Sequence, residues 1–84
     1  MTKRWRTGRN MYGWQVRFVQ VSDAYIDVFI EGRCADTINT FDYAQGVSRS
    51  TNRDAFLGFV SEWITDVRQG TYGDNYLSDL YASA

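Results

Sequence analysis

Two short runs in which apolar and polar residues alternate, 14–19 and 25–31, constrain this chain more than any other feature. In the first, Trp14, Val16 and Phe18 fall on one side and Gln15, Arg17 and Val19 on the other. In the second, Ile26, Val28 and Ile30 oppose Tyr25, Asp27, Phe29 and Glu31. A period of two marks strands, and Ser22-Asp23-Ala24 between the runs is turn chemistry. Burial then selects the register. A two-residue loop would set Phe18 beside Asp27 and Trp14 beside Glu31, with charge in the core. A three-residue loop, 22–24, pairs Val16 with Ile30 and Phe18 with Val28. A slip of one residue turns every side chain over, so the second register is expected.

The opposite face of this hairpin carries Gln15, Arg17, Val19, Val21, Tyr25, Asp27, Phe29 and Glu31. It is half apolar, more so than a solvated antiparallel face usually is. Either a further element covers it or it binds something.

A third strand is predicted near 36–43, where Ile38 and Thr40 alternate with Asn39 and Phe41, and residues 44–52 read as a polar loop. Thr51-x-x-Asp54 then resembles a capping box. Phe56, Leu57, Phe59, Val60, Trp63, Ile64 and Val67 follow at helical spacing, filling an arc of roughly 160°. Gly70 supplies a stop. A last helix near 75–82 has Asp74 before it and Tyr76, Leu77, Leu80 and Tyr81 on its apolar side. At two turns it needs packing to form. Residues 1–11 show no sustained period and read as a basic, flexible arm ahead of one α+β domain at 12–84. The predicted fold is therefore a three-stranded antiparallel β-meander packed against one main α-helix plus a short C-terminal helix (βββαα).

Eighty-four residues suit one domain. Aromatics make up 17% of them, and each ring can remove about 150–250 Å² from water, which favours a folded chain. Cys34 is the sole cysteine, so an intramolecular disulfide is excluded. No apolar stretch of signal-peptide or membrane-span length is present, and cytoplasmic residence is expected. Histidine is absent altogether. That removes the commonest general base and metal ligand, and with them zinc sites and Ser–His or Cys–His nucleophile pairs. No enzyme, metal or cofactor is expected. Cys34 lies beside Arg33, but without a base partner an inert thiol is the expected state.

Charge is unevenly spread. Residues 1–22 hold five bases and no acid, a charge of +5, whereas residues 23–84 hold ten acids and four arginines, a charge of −6. Such a field steers encounter with charged partners. It is also compatible with a two-fold homodimer in which the unlike halves meet.

These features nominate two surfaces. Val19, Val21, Tyr25 and Phe29 on the outer hairpin face, with Glu62 and Asp66 on the outside of the main helix, are the candidate contacts for a protein or nucleoprotein partner. Lys3, Arg4, Trp5, Arg6, Arg9 and Arg17 are the candidates for nucleic acid, with arginines on phosphates and the indole stacked on a base. Some β-sheet DNA readers and double-stranded-RNA binders also use three strands and a helix. The resemblance is of topology alone, since this chain lacks their arginine-studded strands, their leading helix and their lysine-rich helix start. The expected function is a small non-catalytic interaction module. Its size and arginine usage suit a phage or mobile-element inhibitor of host machinery, such as an anti-CRISPR protein; nucleic-acid binding through the arm and sheet is the alternative.

Overall fold

The computed structural model describes residues 5–22, 24–40, 53–70 and 76–83. Along the chain run β1 (Arg6–Met11), β2 (Trp14–Gln20), β3 (Tyr25–Ile30), β4 (Arg33–Asn39), α1 (Arg53–Arg68) and α2 (Tyr76–Ser83). The four strands form one antiparallel sheet in sequence order. The architecture is thus α+β, but with four strands where the sequence predicts three.

The additional strand is β1, from residues read above as an irregular arm. Its pairing runs from Arg6↔Val19 to Met11↔Trp14. The connection is a two-residue turn, Tyr12-Gly13, with φ of 53° and 84°. Positive φ at both central residues marks the hairpin turn whose twist matches that of the strands. Glu31-Gly32, at 51° and 84°, makes an equivalent turn between β3 and β4. The chain therefore returns at once, and β4 begins at Arg33 rather than near residue 36. Residues 41–43, the predicted end of this strand, lie outside the described residues, as do Thr51 and Asp74.

Non-glycine residues in the left-handed region cost about 1 kcal/mol or more, and asparagine costs least. Tyr12 is 66% exposed, so its ring contributes little burial. Tyr12→Asn should accordingly raise the melting temperature by about 2–6 °C, measured by thermal unfolding. Gly13→Ala should lower it.

β2 and β3 take the register that burial selects, with Val16 opposite Ile30 and Phe18 opposite Val28. Val16, Phe18, Ile26, Val28 and Ile30 are buried, and Trp14 is half-buried against the same core. α1 lays Phe56, Phe59, Val60, Trp63, Ile64 and Val67 onto this inner face. Phe18 and Trp63 meet edge to face with ring centroids 5.4 Å apart, and the indole Nε1–H of Trp63 donates to Asp36 Oδ2 at 3.0 Å. α1 ends at Arg68, and Gly70 follows it at φ 71°. Leu77 of α2 is buried, with Leu80 and Tyr81 packed on the core. Tyr81 lies 5.1 Å from Trp14 and beneath the Arg33 guanidinium at 4.8 Å. α2 is therefore fixed to the inner face, at the end of the sheet where the two short turns lie.

Candidate functional site: the uncovered face of the sheet

Because side chains alternate along each strand, the registers sort every residue to one face. The outer face receives Arg6, Gly8 and Asn10 from β1, and Gln15, Arg17 and Val19 from β2. From β3 it receives Tyr25, Asp27 and Phe29, and from β4 Cys34, Thr37 and Asn39. Val21 and Glu31 extend it at opposite ends. Neither the last helix nor Trp5 covers this face. α2 packs on the inner side through Leu77 and Tyr81. Trp5 pairs with Gln20, whose N–H donates to the Trp5 carbonyl at 2.9 Å, and packs against the core. Among the described residues, no helix lies over the outer face.

Val19 and Phe29 alternate with Asp27 and Arg17 across its middle, and Val21 and Tyr25 lie at the end where β2 leads into β3. Val21 and Tyr25 are 40% and 44% exposed, while Val19 and Phe29 are half-buried beside them. Phe29 stands opposite Arg17 on β2 and Cys34 on β4, near the middle of the sheet. Charge divides across it. Arg6 and Arg17 lie on the β1–β2 half, where neither has an ion-pair partner among the described residues. Asp27 and Glu31 lie on β3. Asp27 Oδ1 accepts from Thr37 Oγ1 at 3.1 Å, and Glu31 Oε2 accepts from the Gln15 amide at 3.3 Å. These bonds hold both carboxylates at the surface.

A relief feature accompanies this division. Gly8 sits opposite Arg17 with no side chain of its own. Two shallow recesses of about 260 and 250 Å³ flank it. One is bordered by Asn10, Gln15 and Arg17, the other by Arg6, Arg17 and Val19. A methyl group on Gly8 would reach 3.9 Å from Arg17 Cγ, in ordinary contact. Alanine there fits and partly fills the recess.

The structure thus brings Val19, Val21, Tyr25 and Phe29 together with Arg6 and Arg17. It separates them from Glu62 and Asp66, which are half-buried on α1, on the other side of the sheet. Arg9 is exposed at the inner border of β1, and Lys3 and Arg4 lie outside the described residues. Trp5 is half-buried, which leaves less of its indole for stacking. The contributions of Gly8, Asn10, Cys34 and Thr37 were not foreseen, because they follow only from β1 and from the true start of β4. Among the described residues no group of three or more acidic or thiol side chains is placed to hold a metal ion.

Cys34 is exposed, and Arg33 cannot activate it, because that guanidinium lies over Tyr81. Its pKa is raised, first by partial burial and then by the carboxylates of Asp27 and Asp36. Both causes oppose the thiolate. The pH midpoint of Cys34 alkylation should therefore lie above that of a cysteine in an unstructured peptide. Asp27→Asn should move it down, as iodoacetamide rates across pH 7–10 would show. A midpoint unchanged by Asp27→Asn would remove that carboxylate as a cause.

No family model matches this chain, and no curated protein or solved structure matches it either. No described helix is long and apolar enough to cross a membrane.

Proposed function

We propose that this chain is a small, non-catalytic protein–protein interaction module that docks on a protein or nucleoprotein through the outer sheet face. The observation that carries the reading is the exposed Val21 and Tyr25 beside Val19 and Phe29, on a face that no described helix covers. The apolar side chains of this face interleave with Arg17 and Asp27, and aromatic residues and arginine are both enriched at interfaces. Four strands about 4.8 Å apart and some six residues long make a patch on the order of 20 Å on a side. That is roughly half of the 800 Å² or so that each partner contributes to a stable complex. Residues bordering the face must supply the remainder. A domain of this size acts by occupying a surface of something larger. That mode of action, with the arginine-rich composition, supports an inhibitor of host machinery from a phage or mobile element, such as an anti-CRISPR protein, acting in the cytoplasm.

One observation favours nucleic acid as a second reading: Arg6 and Arg17 stand together at the Gly8 recess without ion-pair partners among the described residues. Asp27 and Glu31 on the same face weigh against it.

A photoreactive benzoylphenylalanine in place of Tyr25, compared with one in place of the exposed Asp79 on α2, tests both in extracts of the source cells. The expected result is a discrete protein adduct from position 25 alone, insensitive to nuclease. Adducts from position 79 alone would contradict the reading. A nuclease-sensitive adduct whose yield falls steeply between low and moderate salt would favour nucleic acid.

A further inference from the structure

Hydrogen-bond parity fixes which way the backbone of β1 faces. Gln20 N–H bonds the Trp5 carbonyl, and bonded pairs alternate along an antiparallel ladder. Thr7, Arg9 and Met11 therefore bond β2, while Arg6, Gly8 and Asn10 turn their N–H and C=O groups away from the sheet. The strand order β1-β2-β3-β4 leaves no described strand on that side.

The two edges of the sheet differ. β4 is bulged after Phe29↔Cys34, and the outward N–H of Thr37 is taken by Asp36 Oδ1 at 2.8 Å. Bulges and local caps of this kind blunt an edge against further pairing. β1 has neither a bulge nor a proline. Among the described residues its guards are the charges of Arg6 and of Arg9, whose Nη1 donates to the Gly8 carbonyl at 2.8 Å and to Thr7 Oγ1 at 2.7 Å. The outward N–H groups of Arg6, Gly8 and Asn10 have no acceptor among the described residues.

We propose that the β1 edge accepts an extended, acidic segment of a partner protein as a fifth strand. Strand addition satisfies the three outward donors through the incoming main chain, and side chains set the specificity. Arg9 makes that specificity acidic. An incoming N–H on the Gly8 carbonyl competes with the guanidinium for that oxygen, which favours a further acceptor for Arg9 on the incoming strand. A carboxylate on the incoming strand provides one in a charge-assisted bond, and Arg6 offers the same on the outer face. A neutral or basic strand leaves Arg9 with Thr7 Oγ1 and water alone. The same arginines oppose self-pairing, because two β1 edges side by side crowd Arg6 and Arg9 of both copies into one short ladder. The proposal stands on the backbone edge and Arg9, independently of the apolar residues of the outer face.

The test uses the full chain against a displayed library of random octapeptides, followed by synthesis of the enriched peptides. Enriched peptides should carry a clear excess of Asp and Glu over the naive library. On binding, amide exchange at Arg6, Gly8 and Asn10 should slow at least tenfold, with Thr7 and Arg9 unchanged. Gly8→Pro removes one outward N–H and leaves the β1–β2 ladder intact, so it should abolish binding. Arg9→Gln, an exposed change that keeps the fold even if Gly8→Pro does not, should weaken binding at least fivefold. Phe29→Asp should leave peptide affinity within twofold, which separates failure here from failure of the docking face. Enrichment without acidic bias, or no enrichment at all, would overturn the proposal. So would slow exchange at the three amides in the free monomer, its onset with protein concentration alone, or stronger protection by a single-stranded oligonucleotide than by any peptide.

Discussion

Trp63→Ala should destabilise the fold by about 3–5 kcal/mol, the cost of replacing a buried indole with a cavity. Trp63 is 1% exposed, stacks edge to face on Phe18 and ties α1 to β4 through Asp36. A chain of this length has a total stability of roughly 4–13 kcal/mol. The variant should therefore melt on the order of 20 °C lower, or fail to fold at 37 °C. Trp63→Phe keeps a ring in the core but removes the donor to Asp36, and should cost about 1–3 kcal/mol. Chemical denaturation of the three proteins separates these contributions. Equal losses in Phe and Ala variants would mean that the Asp36 bond, not the buried ring, dominates.

The second large effect concerns binding. Phe29→Asp places a carboxylate at the middle of the outer face, between Arg17 and Cys34. Affinity for the partner crosslinked at position 25 should fall at least 30-fold, the loss of about 2 kcal/mol expected for a central contact. The fold should survive. Phe29 is half-buried on an uncovered face, so the substitution costs about 1 kcal/mol of stability, mostly through poor strand propensity. Circular dichroism and a binding titration on the same preparation check both halves. Retained affinity in a folded variant would remove this face as the docking surface.

The β2–β3 hairpin could be read from the sequence down to its register, because Val16, Phe18, Ile26, Val28 and Ile30 allow a single pairing that buries them all. α1 was equally legible from its helical spacing. β1 was not, for a physical reason. In Arg6-Thr7-Gly8-Arg9-Asn10 neither face is covered well enough to require apolar residues, and Met11 is its only buried side chain. Pairing with β2 across the Tyr12-Gly13 turn makes it a strand, and Tyr-Gly is a weaker signal for such a turn than Asn-Gly.

β4 was displaced for a related reason. Glu31-Gly32 closes a tight turn that the sequence does not announce, and the bulge near Ala35 interrupts alternation between Cys34 and Asp36. Alternation resumes with Ile38, which is where the sequence signal begins. As for the candidate surface, its half-apolar character was visible in residues 15–31. That it stays uncovered was not, since the choice of side for α2 depends on Tyr81 meeting Trp14 and Arg33 across the fold.

The chain carries its own reporter for the proposed docking face. Cys34, the sole thiol, is exposed on that face directly opposite Phe29. Its alkylation rate, measured with and without saturating partner, requires no substitution and reads occupancy of the surface itself. At least a tenfold slowing in the complex is the result this account predicts. An unchanged rate with partner fully bound would contradict it.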